Sequence, residues 1–254
     1  MATTVSRLDR CGSRMSDHLT MYIGLHAMAI DPRNPNYICT GGADVYARVY
    51  DIRTLSQNAS RNIDKLVDTF APQHMNDNYA MNCIHITGLA YSNLSELLVS
   101  YSDELIYLFQ KNMGLGPSLA SVPPEDLQKH NKPQVFFGHR NLDALKGVKF
   151  FGPNDDYVLR GSSCGHIFIW KKNGAKLIRV IMGDARTLNQ VEPHPHLPIL
   201  ATCGAEKNVK LWAPIENDTP PFPCNIEKIV ESNRRGRDQF RNWLSCTSSG
   251  DSLF

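Results

Sequence analysis

The run Glu192-Pro193-His194-Pro195-His196 contains the residue types that come closest to a metal site. Imidazole nitrogens bind zinc, and a zinc site takes at least three protein ligands. Two histidines only two residues apart and flanked by prolines provide no third ligand, so the run favours a rigid turn. A metal-dependent enzyme that uses these histidines is the alternative interpretation.

Other sequence patterns of enzyme chemistry are scarce. There is no phosphate-binding glycine loop and no His-Glu-x-x-His pattern. The seven cysteines are irregularly spaced and no two form a Cys-x-x-Cys pair, which favours buried, reduced thiols in a reducing compartment. The sequence therefore predicts a protein that is not an enzyme and that needs no cofactor or metal.

Arg53, in the run Tyr50-Asp51-Ile52-Arg53, is the other residue whose chemistry suggests a function. The run lies where a strand is predicted to leave its sheet, so the guanidinium projects from one rim of the fold. Arginine suits partly desolvated contacts between proteins, because its planar fork forms several hydrogen bonds and is weakly hydrated. On residue chemistry alone, a simple surface ion pair explains Arg53 at least as well as a docking role.

Composition and charge limit the classes of partner. The 254 residues are 42% hydrophobic and 20% charged, which is ordinary globular usage. A net charge of +2 argues against direct binding of nucleic acid or of an anionic membrane. The N-terminus is polar and no 18 consecutive residues are apolar, so we expect neither a signal peptide nor a bilayer span. These features predict an intracellular protein, in the nucleus, the cytoplasm or both.

Four segments of the chain repeat one pattern of three short apolar or alternating runs separated by turn residues. Such runs are typical of consecutive antiparallel strands. The units close on aromatic residues, and the last step between these aromatics, 42 residues, fits a four-stranded propeller blade of about 40–45 residues. The closing aromatics are Tyr50, Phe109, Trp170 and Trp212.

A turn position precedes each closing aromatic by six residues. A short carboxylate there can accept hydrogen bonds from backbone N–H groups. Gly138-His139 in addition opens the third unit. The residues at the turn position are Asp44, Asp103, Cys164 and Glu206.

The pattern divides the chain into three parts. Residues 1–23 are expected to be a remnant of a blade or disordered, and residues 24–214 to form about four four-stranded blades, with insertions at Leu55 to Asn78 and Lys111 to Lys132. Residues 215–254 are expected to be a Pro-rich linker, a short amphipathic helix and a tail that is disordered from Ser245. The helix carries a basic cluster, which favours a solvated face over a nucleic-acid or nuclear-import signal. This cluster comprises Arg234, Arg235, Arg237 and Arg241.

The segment from Phe136 to Pro214 resembles the WD-repeat substrate receptors of cullin-4 RING ubiquitin ligases, in particular the eighth member of their adaptor-associated-factor series. The resemblance extends upstream through Ala47 to Arg53 and Ser102 to Phe109, and covers about four-fifths of the chain. Its most specific runs are Gly138-His139-Arg140-Asn141, Cys164-Gly165-His166-Ile167-Phe168, Glu192-Pro193-His194-Pro195-His196-Leu197-Pro198 and Val209-Lys210-Leu211-Trp212-Ala213-Pro214.

The resemblance implies an all-β fold, a partial WD-repeat propeller, and a role as the exchangeable specificity subunit of a ligase. One side would dock on the damaged-DNA-binding-protein adaptor of cullin-4, and another face would hold a substrate protein of unknown identity. The family's Trp-Asp-x-Arg box matches Tyr50-Asp51-Ile52-Arg53 with Tyr in place of Trp, so Asp51 and Arg53 carry over as docking residues.

Two departures from the family pattern keep alternatives open. Arg160 and Ser163 stand where the family tends to have a small residue and an aspartate. Only four complete units are visible where a family propeller has about seven, so we expect the N-terminal blades to be missing. A scaffold of another intracellular complex and a non-functional truncated propeller are therefore the rival interpretations.

Overall fold

The computed structural model describes residues 3–5, 21–54, 66–75, 84–117, 132–142, 146–215 and 221–248. Within these ranges the chain forms antiparallel sheets and one long helix. The all-β fold of WD-like blades with a C-terminal helix is thus confirmed. Parts of both predicted insertions lie outside the described residues, as do residues 249–254 of the predicted tail.

Three sheets have four strands each, and we name them blades I to III in chain order. Blade I comprises β3 (Leu25–Ile30), β4 (Tyr37–Gly42), β5 (Ala47–Asp51) and β6 (Leu66–Phe70). Blade II comprises β7 (Ile86–Tyr91), β8 (Leu97–Tyr101), β9 (Ile106–Phe109) and β10 (Gln134–Phe136). Blade III comprises β11 (Val148–Phe151), β12 (Tyr157–Gly161), β13 (His166–Lys171) and β14 (Lys176–Met182). Part of the predicted insertion at Leu55 to Asn78 is therefore the fourth strand of blade I.

Blade IV has three strands among the described residues, and two short strands pair near the N-terminus. Blade IV comprises β15 (Leu188–Pro193), β16 (Leu200–Gly204) and β17 (Val209–Trp212). The N-terminal pair comprises β1 (Thr3–Val5) and β2 (Met21–Ile23), within the segment predicted to be a remnant or disordered. Helix α1 runs from Ile226 to Ser248, so its backbone continues three residues past Ser245, where the sequence predicts the start of a disordered tail.

The hairpin turns inside the blades contain residues that tolerate a positive φ. Asp103, in the β8–β9 turn, has a φ of 48°, and a short polar side chain tolerates this left-handed conformation. Gly165, in the β12–β13 turn, has a φ of 80°, and a Cβ there would lie 2.2 Å from the carbonyl oxygen of Asp184. Only glycine therefore fits this turn against the following segment.

The blades stack face to face, and apolar side chains from adjacent blades fill each joint. Within each strand the alternation of side chains places one set on each face of the sheet. Cys39, Val49 and Val99 lie in the joint between blades I and II, whereas Val158 and Phe168 lie between blades II and III. A third cluster, between blades III and IV, comprises Leu159, Ile167, Ile169, Leu188, Val191 and Leu200.

The two ends of the stack present apolar side chains to solvent. On blade I, Met28 and Ile30 of β3 are exposed, and on blade IV so are Val209 and Leu211 of β17. Helix α1 is long but rich in charged residues, and no helix in the described part of the chain is apolar over a length that could cross a membrane.

Candidate protein-interaction site

Asp51 and Arg53 form an ion pair where β5 ends. The carboxylate of Asp51 accepts hydrogen bonds from Arg53 Nε at 3.0 Å and from Nη2 at 2.6 Å. It also accepts one from the backbone N–H of Arg53 at 3.0 Å, which holds residues 52–54 in a single 3-10 turn. The guanidinium is therefore oriented by two hydrogen bonds that it donates to Asp51, and the third, from the Arg53 backbone, fixes the turn between them.

The side chains of Arg53 and Asp51 differ in their exposure to solvent. The Arg53 side chain is 63% exposed, whereas that of Asp51 is 13% exposed. Hydrogen bonds from Arg53 hold the pKa of the Asp51 carboxyl below its ordinary value, and the same pair raises the pKa of Arg53. Both groups stay charged at neutral pH, and the outer edge of the guanidinium faces solvent.

Neighbouring turns continue the surface around Arg53. The backbone N–H of Ile52 donates to the carbonyl oxygen of Asn36 in the β3–β4 turn at 2.8 Å. That turn is tied to the β7–β8 turn of blade II, because Arg33 Nε donates to the carbonyl oxygen of Asn93 at 2.6 Å. We call the exposed residues of this surface the docking rim: Arg33, Ile52, Arg53, Asn93 and Leu94.

Further links fix the rim across three blades. Ser95 Oγ donates to Asp31 at 2.8 Å, which joins blade II to blade I. The backbone N–H of Asn93 donates to Asp155 at 2.5 Å, and Lys172 pairs with Glu96 at 2.8 Å, which joins blade II to blade III. The rim is thus one continuous, preorganised edge of the stack rather than a single loop.

The residues predicted at the strand-two to strand-three turns lie at the opposite edge of the blades from Arg53, because successive strands run antiparallel. Asp44 pairs with Arg48 at 2.6 Å and accepts from the backbone N–H of Tyr46. Asp103 is 2% exposed, and its own N–H donates to the carbonyl oxygen of Asn141 at 2.7 Å. These two aspartates stabilise their turns.

The corresponding positions of blades III and IV use different chemistry. Cys164 Sγ contacts Ser162 Oγ at 3.1 Å and Asn233 Nδ2 of helix α1 at 3.4 Å. Glu206 forms an ion pair with Lys210 and accepts from the backbone N–H of Ala185 at 3.2 Å. The four turn positions therefore share a place in the blade but not a single set of contacts.

The closing aromatics are placed at the ends of the third strands. Tyr50 and Phe109 are buried, and Trp170 is fully buried with its Nε1 donating to the carbonyl oxygen of Phe137 at 2.9 Å. Trp212 is half-buried and donates from Nε1 to Thr202 Oγ1 at 2.9 Å. Phe109, Trp170 and Trp212 belong to the apolar clusters that fill the joints between blades.

His139 is fully buried beside Trp170, and its Nε2 accepts a hydrogen bond from Arg160 Nη1 at 3.0 Å. Burial, followed by the charges of Arg160 and Arg237, lowers the pKa of His139 well below its ordinary value. The imidazole is therefore neutral at physiological pH, and its role is structural.

The Pro-flanked histidines form a turn. His194 Nδ1 accepts from the backbone N–H groups of His196 and Leu197, each at 3.1 Å, and both imidazoles are exposed. Nowhere in the described ranges do three histidine, cysteine or acidic side chains cluster in a way that could hold a metal ion.

Sequence reasoning missed two features. Gly161-Ser162-Ser163-Cys164-Gly165 matches the Gly-x-Ser-x-Gly pattern of nucleophilic serines, but it forms a strand–turn–strand hairpin between β12 and β13, whereas the nucleophile elbow needs a strand–turn–helix. Asp184 was also missed: it is buried and accepts from the N–H groups of Arg186 at 2.8 Å and Glu206 at 3.0 Å. Gly183-Asp184 stands before blade IV as Gly138-His139 stands before blade III, and this parallel is the signal that identifies it.

Comparison with known proteins agrees with the blade geometry. Residues 175–213, which run from the last strand of blade III through blade IV, match the family model described as WD domain, G-beta repeat. This part of the chain is a WD repeat, and the sheets that precede it have the same antiparallel blade geometry.

Several longer proteins are similar to part of this chain. It is 36% identical over 138 residues to WD repeat protein iqw1 of Schizosaccharomyces pombe, which covers 49% of the chain and 17% of that relative. It is 33% identical over 116 residues to DDB1- and CUL4-associated factor 6 of Homo sapiens, covering 45% of the chain and 13% of the relative. It is 41% identical over 104 residues to WD and tetratricopeptide repeats protein 1 of Mus musculus, and this match covers 39% of the chain and 15% of the relative. The chain thus spans less than a fifth of the length of each of these relatives.

Proposed function

We propose that this chain is a non-catalytic, protein-binding subunit of a cullin-4 RING ubiquitin ligase. The docking rim would contact the adaptor DDB1, and another face would hold the protein to be ubiquitinated. The observation that carries the proposal is the Asp51–Arg53 pair, which presents a 63% exposed guanidinium in a fixed orientation. The name of the human relative, DDB1- and CUL4-associated factor 6, supports the choice of partner.

The geometry of the rim suits a protein contact. Arginine loses less conformational freedom on binding when its fork is already fixed, so more of its interaction energy appears as affinity. Ile52 is 39% exposed and Leu94 is 55% exposed, and both lie on the rim next to charged residues. Arginine is one of the residue types that are enriched among interface hot spots.

The proposed role is one of proximity. A subunit that binds a substrate and the ligase together raises the effective concentration of the substrate near the ubiquitin-charged enzyme. The chain itself would break no bond. The role implies a location inside the cell, in the nucleus or the cytoplasm.

Capture of purified DDB1 by the immobilised chain tests the proposal. Arg53→Ala should weaken capture by about 30-fold, which corresponds to the loss of one hot spot of about 2 kcal/mol. Arg234→Ala is the matched control, because Arg234 is 57% exposed and its Nε and Nη2 also hold a carboxylate, that of Glu231. Failure of the wild-type chain to capture DDB1 would overturn the proposal. Recovery of one other assembly without ligase subunits would support the rival role, a scaffold of a different complex.

A further inference from the structure

Arg160 is a charged side chain enclosed in the joint between blades II and III. It lies on β12, where its cross-strand partners are Val148 and Phe168, and all three side chains are buried. Arg160 itself has 0% exposure. A charge in such an apolar environment requires compensation by an opposite charge or by hydrogen bonds.

The protein supplies only part of that compensation. Arg160 Nη1 contacts His139 Nε2 at 3.0 Å, whereas Nε and Nη2 have no acceptor among the described residues. Burial lowers the pKa of Arg160 to about 9, so the guanidinium still carries its proton at neutral pH. Two N–H groups on one edge of a buried cation are therefore without a partner, an arrangement that is rare in native proteins.

In two other arginines of this chain, the Nε–Nη2 edge of the guanidinium binds a carboxylate. Arg53 donates hydrogen bonds from Nε and Nη2 to the Asp51 carboxylate, at 3.0 and 2.6 Å. Arg234 donates hydrogen bonds from Nε and Nη2 to the Glu231 carboxylate, at 2.8 and 2.9 Å. The Nε–Nη2 edge is the face with which a guanidinium binds a planar anion in a bidentate manner.

Other cationic and donor groups gather near Arg160. Arg237 of helix α1 donates to the carbonyl oxygen of His139 at 2.5 Å, and the charges of both Arg160 and Arg237 act on the His139 imidazole. Arg140 Nε and His139 Nδ1 are buried with no acceptor in the described part of the chain. The excess of positive charge and of donors is thus a property of the joint, not of one side chain.

Buried carboxylates close to this joint in sequence are engaged elsewhere. One carboxylate oxygen of Glu104 accepts from the hydroxyl of Tyr107 at 2.7 Å, and Asp184 accepts from two backbone N–H groups. Burial lowers the pKa of Arg160, and among the described residues no carboxylate pairs with its guanidinium.

We infer that the joint between blades II and III binds a small anion on the Nε–Nη2 edge of Arg160. The ligand class is a monovalent anion of the size of chloride or formate, since the Arg160 side chain is fully enclosed. The bound anion neutralises Arg160, and it stabilises the native state because the unfolded chain has no such site. This site is independent of the docking rim and of the proposed ligase role.

Thermal unfolding of the whole chain tests the inference. The protein is exchanged into gluconate, an anion too large for the site, and chloride or formate replaces gluconate at constant ionic strength. Saturating chloride or formate should raise the Tm by about 3 °C, the shift expected for a ligand of modest affinity on a chain of this size. Arg160→Met should abolish the difference between anions, whereas Arg53→Met, which removes an exposed guanidinium, should retain it.

Crystals of the wild-type chain grown in bromide give an answer that needs no variant, in case Arg160→Met does not fold. Anomalous density within hydrogen-bond distance of Arg160 Nε and Nη2 would support the inference. Bromide found only on the surface, or a Tm that is the same in gluconate, chloride and formate, would overturn it.

Discussion

The side-chain amide of Asn233 donates a hydrogen bond to the carbonyl oxygen of Gly138 at 2.7 Å, across 95 residues of sequence. Arg237, one helical turn further along α1, donates to the carbonyl oxygen of the next residue, His139. Asn233 and Arg237 are both buried. Helix α1 is thus anchored on two successive backbone carbonyls of the loop between blades II and III, in addition to the apolar contacts of Ile226 and Ile229.

Asn233→Ala is expected to destabilise the protein by about 1–3 kcal/mol, because it leaves the buried carbonyl of Gly138 without its donor. Urea unfolding followed by circular dichroism measures the difference. Arg235→Ala, on the exposed side of the same helix, should change the stability by less than about 0.5 kcal/mol. Equal losses for the two variants would contradict the anchoring role.

The existence of helix α1 could be predicted from sequence, but its attachment could not. Ile226, Ile229 and Val230 recur at helical spacing and therefore indicate an apolar face. The sequence pattern places Arg237 in a solvated basic cluster, and this prediction is wrong for Arg237, which is buried and donates to the carbonyl oxygen of His139. A backbone acceptor leaves no trace in the sequence of the segment that supplies it, so the buried arginine could not be separated from its exposed neighbours.

Tyr101→Phe is expected to lower the free energy of unfolding by about 1 kcal/mol. The Tyr101 side chain is fully buried in blade II, and its hydroxyl donates to the carbonyl oxygen of Val45 in blade I at 2.9 Å. The substitution removes this link between blades and leaves a buried acceptor. In urea the midpoint should fall while the slope of the transition stays constant.

Tyr157→Phe serves as the control for Tyr101→Phe. Tyr157 is half-buried and, within the described residues, its hydroxyl has no hydrogen-bond partner. Its removal should be close to neutral. If both variants lose the same stability, the loss comes from the change of ring chemistry and not from the contact between blades.

The contact between Asp51 and Arg53 follows from local information alone, whereas their docking role is implied by the family resemblance and stays a prediction. Asp51 and Arg53 are two residues apart at the end of a strand, so their pairing depends only on the chain between them. The rest of the rim depends on the stacking of blades: Arg33 meets Asn93 across 60 residues, and Leu94 comes from a different blade. Such contacts depend on how the turns of different blades lie next to one another. The repeat pattern locates each turn to within a few residues, which is not precise enough to predict an individual contact.

Asp51→Asn is expected to weaken DDB1 capture by about 3- to 10-fold, less than Arg53→Ala, because the guanidinium remains but loses its charged anchor. Hydrogen bonds from Arg53 lower the pKa of Asp51 in the folded chain. A carboxyl whose pKa is lowered on folding contributes to the native state above its unfolded pKa of about 3.9, and that contribution is lost only as the pH falls through the lower, folded value. The Asp51–Arg53 pair should therefore persist from pH 8 down to pH 4.5.

Biolayer interferometry measures DDB1 capture by the wild-type chain and by Asp51→Asn over this pH range. The comparison shows whether the Asp51 carboxylate stays charged while it orients Arg53. A ratio of wild-type to Asp51→Asn affinity that stays constant from pH 8 to pH 5 is the expected result. A ratio that collapses to unity near pH 6 would show that the pKa of Asp51 is raised in the folded chain, contrary to the geometry.

Cys164 is expected to react with iodoacetamide with a half-maximal rate near pH 7. Burial raises its pKa, but hydrogen bonds with His166, Ser162 and Asn233 outweigh this effect and lower the pKa to about 7. Since the thiolate is the reactive form, the rate should rise through neutrality, about 1.5 pH units below the range of an unperturbed thiol. Peptide mass spectrometry after timed alkylation of the native protein follows this residue specifically.

Two comparisons decide the origin of the lowered pKa. Cys39 has 0% exposure and burial raises its pKa, so it should stay unmodified in the native protein over the same pH range. Asn233→Ala removes one of the hydrogen bonds to the Cys164 sulfur and should move the midpoint upward, because the thiolate loses a donor. A midpoint near pH 8.5 in the wild-type protein, or one that is insensitive to Asn233→Ala, would mean that helix α1 does not stabilise the thiolate.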